Sequence, residues 1–387
     1  MTTEQPLANK LADFRKTAET VKDVILTHLM MVGEIPAPSG EEAARAQFFV
    51  QRLSEFGLTS CSTDEMNNGY GIISGKKATR NILVVANADT IVRDISDQTV
   101  EIGQDRIVGP FVGDNSLGLT VLLSLPILID RLGLAFDANI ILMAASRSLG
   151  RYHHEGLRFF LKNSTLPIHA GIVAEGVQLG RLNHFCIGLL RGEIVCRLPD
   201  DYQWDQFGAT GSILPMNDAI NLISRIPLPR RPQTNIVLGS IHGGLSHRNI
   251  ARETTLCFEV RCESVELLSQ IRQQLEDIVE TVKAKSGVDV RLDIVAEHKP
   301  GGIDIAHPFV REAKSVLNAL GIPPMVYATT SGLAVMIEEK IPGLTLGLTT
   351  GKRRKELDEI DEAVDIKPIF SGMAQFLALL LAMDQEK

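Results

Sequence analysis

The chain alternates between apolar stripes of helical period and short, nearly continuous apolar runs. A stripe with spacings of three and four predicts one amphipathic helix that ends near Gly33 and carries Leu7, Leu11, Phe14, Ala18, Val21, Ile25 and Leu29. The run at 82–85 is typical of a strand buried on both faces of a parallel sheet, and 138–146 and 341–351 predict further strands. This pattern indicates an α/β fold with a mixed, mostly parallel sheet flanked by helices.

The pattern changes in the middle of the chain. From about Gly192 to Gly302 it predicts a strand, a helix, two strands, a helix and a strand, which is a βαββαβ unit of ferredoxin-like type with an antiparallel sheet. We therefore predict an inserted domain at 192–302 between the two parts of an α/β domain at 1–191 and 303–387.

Composition excludes several classes of protein. The net charge of −8 and the lack of a large basic block argue against a nucleic-acid partner, and the short cationic run at 352–355 is interpreted as a solvated loop. The polar N-terminus and the short apolar tracts at 117–129 and 370–383 predict no signal peptide and no membrane span. The five cysteines lack zinc-finger or CxxC spacing, so we expect reduced thiols and a cytoplasmic protein.

Polar side chains gather where the predicted strands end. Asn87 and Asp89 follow the central strand, and a glycine-rich loop leads into Asp114 before a long apolar helix. Open α/β sheets place their chemistry at the carboxyl ends of strands. Asp114 is equally suited to cap the following helix, so its spacing alone leaves both roles open.

Several spaced motifs together resemble the M20 family of zinc-dependent exopeptidases and amidohydrolases. They are IPAPSGEE, GDNSLGL, AEG followed by GRLN, WDQFG, and GG followed by NIA. They occur in the family's order over essentially the full chain. The resemblance implies a zinc-exopeptidase-like domain with an inserted lid or dimerisation domain, two zinc ions, hydrolysis of amide bonds, and a homodimer formed through the insert.

The resemblance places candidate metal ligands on this sequence. Asp114 stands at the position of the bridging carboxylate, and Glu175 at that of a further carboxylate ligand. The first family motif, His-x-Asp, is here Asn87-Ala88-Asp89, so its histidine is replaced by an amide. Without that histidine, Asp89 is interpreted as a loop-capping aspartate.

The catalytic positions of the family carry other residue types here. Ser148 and Leu149 stand where the family has its general base and a glutamate ligand, and a one-residue shift would put Arg147 and Ser148 there instead. The family's last histidine ligand corresponds to Lys355 or Asp358, depending on the register. Neither register restores a base or an imidazole.

The inserted domain shows similar replacements. Tyr202 takes the place of the lid histidine, and Arg248 that of an asparagine. Near the altered catalytic segment, His153 and His154 offer substitute ligands, but their turn positions predict that they lie on the surface. His242 and His247 are expected to be structural or exposed.

Two functions remain open. Two zinc ions about 3.5–4 Å apart need several ligands and a base, whereas only Asp114 and Glu175 are kept. We therefore favour a non-catalytic protein that needs no cofactor and binds a small peptide-like ligand or a partner. The alternative is a divergent hydrolase that cleaves amide bonds with zinc or another divalent metal held by Asp114, Glu175 and an unrecognised ligand.

Carboxylates without their metal ions need another source of positive charge. Asp89, Asp114 and Glu175 are predicted to converge in a cleft. Burying unpaired carboxylates is costly, so we expect a protein cation to compensate them. The candidates by position are Arg147 and the basic run at 352–355.

Overall fold

The fold was analysed in a computed structural model that describes residues 7–91, 97–202, 211–352 and 361–386. The chain divides into two compact units. The larger contains Met1–Cys186 and Gly302–Lys387, and the smaller contains Ile187–Gly301. Each unit has its own hydrophobic core.

The larger unit is built on a seven-stranded sheet. Its strands are β1 (Thr59–Thr63), β2 (Gly69–Ile73), β3 (Asn81–Asn87), β6 (Asn139–Ala145), β7 (Ala170–Val177), β8 (Leu182–Asn183) and β15 (Gly343–Thr349). Their spatial order is β1-β2-β6-β3-β7-β15-β8. The central pairs β6–β3, β3–β7 and β7–β15 are parallel, whereas the outer pairs are antiparallel. The predicted mixed, mostly parallel sheet is confirmed.

Helices cover both faces of this sheet. They are α1 (Leu7–Thr20), α2 (Lys22–Gly33), α3 (Ala43–Glu55), α4 (Leu117–Arg131), α5 (Glu155–Asn163), α8 (Pro308–Ala319), α9 (Leu333–Glu338) and α10 (Ile366–Gln385). Every residue of β3 is buried. Because side chains alternate along a strand, Ile82 and Val84 join the core formed with α1, α2, α4 and α10, whereas Leu83 and Val85 join a second core with α5 and α9.

Shorter strands complete the larger unit. β4 (Glu101–Ile102), β5 (Arg106–Pro110), β16 (Gly351–Lys352) and β17 (Asp361–Asp365) form a small sheet in the order β16-β17-β5-β4. β9 (Phe185–Cys186) and β14 (Gly301–Gly302) lie where the chain leaves and re-enters this unit.

The first apolar stripe forms two helices rather than the single helix that we predicted. The break is at Val21, whose φ of −108° and ψ of 18° are not helical. Val21 is nevertheless buried with the neighbours of the stripe on either side. The apolar spacing therefore predicted which residues are buried, but it carried no information on a break between two helices that bury the same stripe.

The smaller unit has the predicted βαββαβ order. Its elements are β10 (Gly188–Arg197), α6 (Ile213–Ile223), β11 (Thr234–Gly243), β12 (Glu253–Cys262), α7 (Val265–Ser286) and β13 (Asp289–His298). The four strands form an antiparallel sheet in the order β11-β12-β10-β13. The predicted boundary at 192 falls inside β10, whose alternating inward residues Leu190, Ile194 and Cys196 belong to this unit's core.

Two helical stretches, Val112–Arg131 and Ile366–Gln385, are each 20 residues long and apolar enough to cross a bilayer by length and composition. This corrects the expectation that the apolar tracts at 117–129 and 370–383 belong to segments too short to span a bilayer. Most of each stretch is buried inside the structure. Both are thus accounted for as core helices.

His28 makes the stability of the larger unit depend on pH. It is 1% exposed, lies edge-on to Phe56, and has Nδ1 3.4 Å from Ser124 Oγ. Burial, with a smaller contribution from Arg52, lowers the pKa of His28 from 6.5 to about 4. Between these pKa values the imidazole binds a proton in the unfolded chain but not in the folded one. The contribution of neutral His28 to the free energy of unfolding is therefore fully present above pH 6.5 and is lost as the pH falls towards 4.

We expect the free energy of unfolding to be lower at pH 5 than at pH 7, with roughly 2 kcal/mol of the difference due to His28. Urea denaturation at both pH values measures this difference. His28→Gln should remove that part of the difference, and His242→Gln, on the exposed strand β11, should keep it. Equal pH dependence in wild type and His28→Gln would contradict the assignment.

Candidate functional site

The predicted site residues in the larger unit lie around the carboxyl ends of three neighbouring strands. Asn87 ends β3, the segment 146–149 follows β6, and Glu175 lies near the end of β7. These strands are parallel, with Asn87 opposite Ala145. The side chains of the predicted motifs therefore reach the same edge of the sheet, as expected for an open α/β fold.

Asp89 is held at this edge by hydroxyl and amide donors. The backbone amides of Ser148 and Leu149 donate to Oδ2 at 2.8 Å and 2.9 Å, and Ser39 Oγ donates to the same oxygen at 2.7 Å. The hydroxyl of Ser148 donates to Oδ1. Asp89 is fully buried. The carboxylate thus fixes the loop after β6, and the hydroxyl at the general-base position is engaged with it.

A guanidinium not identified from the sequence lies close to this loop. Arg45, on α3, is 1% exposed and donates to the backbone carbonyls of Ile35 and Ala88. Burial lowers its pKa to about 10, and the charges of Asp89 and Glu42 oppose that decrease. Sequence reasoning missed Arg45 because it stands among ordinary helix residues and reaches Ala88 over 43 positions of chain.

Glu42 is a second buried carboxyl beside the same loop. Its Oε1 accepts hydrogen bonds at 2.8 Å from the backbone amides of Gly40 and Arg147. Burial raises the pKa of Glu42 above its usual value. The guanidinium of Arg147 turns to Glu155 at 3.1 Å and stacks on Tyr152. Arg147 was one of the cations expected to compensate the three carboxylates Asp89, Asp114 and Glu175, and it forms an ion pair with Glu155.

Asp114 lies before the following helix, and Ser116 occupies the N-cap position. Helix α4 begins at Leu117, after a short π-helical turn at Val112–Ser116 in which Asp114 has non-helical φ and ψ. The backbone amides of Gly113 and Asp114 both donate to Glu362 Oε2 at 2.9 Å. The side-chain amide of Asn115 donates to the carbonyl of Asp89 at 2.7 Å. Glu362, which the sequence did not suggest, therefore shapes this loop together with Asp89.

The loop before α4 also packs closely against β7. A Cβ atom added to Gly176 would lie 1.7 Å from the carbonyl oxygen of Gly113. Only glycine allows this approach, which places Asp114 and Glu175 on two segments in contact. This close packing is a structural reason for glycine at position 176.

Glu175 is compensated by Arg181. Arg181 Nη1 lies 2.7 Å from Glu175 Oε2, and each side chain is 13% exposed. Arg181 Nε donates to Tyr327 Oη at 2.6 Å. Burial of Arg181 acts to lower its pKa, but Glu175 and Tyr327 together raise it above the usual value. The expected protein cation is present, and among the described residues it is Arg181, which the sequence did not suggest. Residues 353–355 of the basic run lie outside the described residues.

Two predicted residues of the smaller unit share a cavity. Tyr202 and Arg248 line a cavity of about 520 Å³ whose walls also include Leu198, Gly244, Leu245, Asn249, Ile250, Ala251, Arg252 and Glu253. Arg252 donates to the carbonyls of Pro199 and Asp200. Among the described residues, none pairs with the guanidinium of Arg248. The two positions that differ from the family pattern thus meet at one surface.

The histidines suggested by the sequence differ in their exposure to solvent. His153 and His154 are buried, which corrects the prediction that they lie on the surface. Their φ angles of 45° and 58° turn the chain into α5, so that the ring of His154 faces the carbonyl of Thr330. His242 and His247 are exposed. Lys355 and Asp358 lie outside the described residues.

The described residues do not fit a two-metal centre. In the described ranges, no group of three His, Cys, Asp or Glu side chains is arranged so that it could hold a metal ion. A two-metal hydrolytic site needs about three protein ligands for each ion and a base for the water. At this edge, Glu175 is ion-paired, Asp89 accepts from four donors, and Ser148 offers a hydroxyl. That no cofactor binds nevertheless stays a prediction.

The fold is similar to that of solved peptidases and amidases. The di-peptidase Dug1p of Saccharomyces cerevisiae superposes with a TM-score of 0.75 at 14% identity, covering 97% of this chain and 99% of the other. The YXEP protein of Bacillus subtilis, a dinuclear metal-binding peptidase of the M20 family, superposes with a TM-score of 0.64 at 14% identity, covering 94% of this chain and 98% of the other. A hydantoinase/carbamoylase-family amidase of Burkholderia vietnamiensis has a TM-score of 0.69 at 15% identity, with 96% of this chain and 98% of the other covered. No protein-family model and no curated protein matches.

These similarities define the class of fold. The chain has the mixed α/β architecture of M20 peptidases and related amidases over nearly its whole length. The resemblance seen in the sequence motifs is thereby confirmed for the fold. At identities of 14% and 15%, the comparison shows the fold alone, and the chemistry must be argued from the site.

The ion pair at Glu175 gives a direct prediction. Arg181→Met leaves the carboxylate of Glu175 buried without its cation, and it should lower the free energy of unfolding by roughly 3 kcal/mol. Adding Glu175→Gln should recover most of this loss, because the uncompensated charge is then removed.

Urea denaturation of the single and double variants measures this coupling. Arg197→Met is the matched control, because Arg197 and Glu253 form an exposed pair with 62% and 48% exposed side chains. The control should change the free energy of unfolding by less than about 1 kcal/mol. A cost for Arg181→Met no greater than that of the control would show that Glu175 does not depend on Arg181.

Proposed function

We propose that this chain is a non-catalytic protein with the fold of M20 peptidases that binds a small peptide-like ligand. The observation that carries the proposal is the Arg181–Glu175 ion pair. At the position where the family resemblance places a metal-ligating carboxylate, the positive charge is supplied by a guanidinium of the same chain. A carboxylate neutralised in this way is a poor metal ligand.

The position of the general base supports the same proposal. Ser148 donates its hydroxyl to Asp89, and a neutral hydroxyl does not take a proton from water near pH 7. The loop that carries Ser148 is tied to Asp89 by three hydrogen bonds from Ser148 and Leu149. The loop is therefore fixed by structural contacts, and its side chains do not serve as an acid–base pair.

The cavity in the smaller unit supports a ligand with a carboxylate and an apolar group. Arg248 offers a planar guanidinium, which matches a carboxylate through two parallel hydrogen bonds. Leu198, Tyr202 and Ile250 offer apolar wall area in the same cavity. A dipeptide or an acyl-amino acid has both groups. Location in the cytoplasm and a homodimer through the inserted unit remain predictions.

Metal-dependent hydrolysis is the competing function. Asp114 and Glu175 keep carboxylates at two ligand positions of the resemblance, and similar structures include peptidases and amidases. Under this alternative, a divalent metal would have to displace Arg181 from Glu175. The competing function therefore makes its own prediction, which is turnover that depends on added metal.

The test combines binding and turnover with the full chain. We expect a panel of dipeptides and acyl-amino acids to contain ligands that bind saturably in calorimetry and are not hydrolysed with added zinc, cobalt or manganese. Arg248→Met should weaken binding by about tenfold or more, because a charge-assisted hydrogen bond is lost. Arg225→Met is the matched control, because Arg225 is an exposed arginine of the same unit.

Two results would contradict the proposal. Metal-dependent turnover that Asp114→Ala abolishes would establish the hydrolase instead. Absence of saturable binding across the panel, or equal binding by the wild type and Arg248→Met, would rule out the ligand site in the smaller unit.

A further inference from the structure

A second cavity lies at the opposite edge of the large sheet. There the parallel strands begin, with β3 at Asn81, β7 at Ala170 and β15 at Gly343. The cavity has a volume of about 280 Å³. Its walls include His169 before β7, His307 before α8, Arg80 before β3 and Glu386 after α10. None of them belongs to the site at the carboxyl edge.

Backbone hydrogen bonds fix the proton positions on both imidazoles. The amide of Asn81 donates to His169 Nδ1 at 3.2 Å, and the amide of Phe309 donates to His307 Nδ1 at 3.2 Å. A ring nitrogen that accepts a hydrogen bond carries no proton, so the neutral ring has its proton on Nε2. Both histidines line the cavity, and the neutral ring of each carries a hydrogen-bond donor on Nε2.

This tautomer argues against a metal ion and for a ligand that accepts hydrogen bonds. A histidine that binds a metal donates its other ring N–H to an acceptor. Here the other nitrogen already accepts from the backbone, so metal binding through Nε2 would require an imidazole stripped of both protons. A ligand with several acceptor oxygens matches the two N–H groups without this cost.

Among the described residues that line the cavity, Arg80 carries a positive charge and Glu386 a negative charge. Arg80 donates to the backbone carbonyls of Asp384 and Glu386, which holds its guanidinium at the cavity wall. The carboxylate of Glu386 offsets one positive charge. His307 is the N-cap of the 12-residue helix α8, so the positive end of the helix dipole faces the same region. Preference for a ligand with acceptor oxygens therefore depends on the ring N–H donors and on the dipole of α8.

We propose that this cavity binds a phosphate group through His169 Nε2–H, His307 Nε2–H and the guanidinium of Arg80. The ligand is inorganic phosphate or a small phosphate monoester, since both carry the same acceptor oxygens. This site is independent of the proposed function, because its residues lie at the opposite edge of the sheet from Glu175 and outside the smaller unit.

Calorimetric titration of the full chain with inorganic phosphate and with glycerol 3-phosphate tests the site and distinguishes the two sources. We expect saturable binding of one ligand per chain. His169→Leu removes one donor. His307→Asn keeps a capping oxygen for α8, and its shorter side chain withdraws the N–H donor from the position of Nε2. Each should weaken binding by about tenfold or more.

Matched variants separate the lost donor from general effects. His169→Gln keeps an N–H donor and should retain most of the affinity. His242→Leu changes an exposed histidine of the smaller unit and should leave phosphate binding unchanged. Nitrogen-15 NMR should show the Nε2–H tautomer for His169 and His307, with their Nε2 signals shifting as phosphate is added.

Three results would overturn the proposal. They are the absence of saturable binding of either phosphate compound, affinities that are equal in the wild type, His169→Leu and His307→Asn, and Nδ1–H tautomers in the two rings. The NMR readout does not depend on stability, so a variant that fails to fold leaves the proposal testable in the wild type.

Discussion

Burying a carboxylate is costly unless hydrogen-bond donors or a cation compensate its charge. Several compensated carboxylates lie at the carboxyl edge of the large sheet. Asp89 is compensated by hydroxyl and amide donors from two loops. Glu362 accepts the backbone amides of Gly113 and Asp114. Glu175 is compensated by Arg181. These contacts hold the loops of this edge in the arrangement that the fold requires.

The same contacts give structural roles to motifs that resemble those of metallopeptidases. Gly176 is needed for the close approach of its strand to the backbone carbonyl of Gly113. Asn115 is needed as a donor to the carbonyl of Asp89. Such residues maintain the scaffold, so their presence in the sequence indicates the fold and says little about catalysis.

The sequence predicted the parts of the fold that depend on apolar pattern. Buried runs such as 82–85 gave the central strands, and the change of period gave the inserted βαββαβ unit. The break at Val21 was missed because both helices bury one continuous stripe. Burial of His153 and His154 was missed because their left-handed backbone angles, uncommon for residues other than glycine, leave no apolar pattern.

The candidate site was predicted less completely, because its contacts join distant positions. The need for a cation near Glu175 followed from electrostatics, but the identity of that cation depended on the turn that brings Arg181 back beside β7. Glu362 lies 249 positions from Gly113, and no local pattern in the sequence links the two.

Diffraction at the zinc absorption edge, from crystals of the wild-type protein grown with excess zinc, tests the role of Arg181 most directly. With Arg181 as the resident cation, no anomalous peak is expected beside Asp114 and Glu175, and the guanidinium should contact the carboxylate of Glu175. Two adjacent peaks at those carboxylates, with Arg181 displaced, would contradict it.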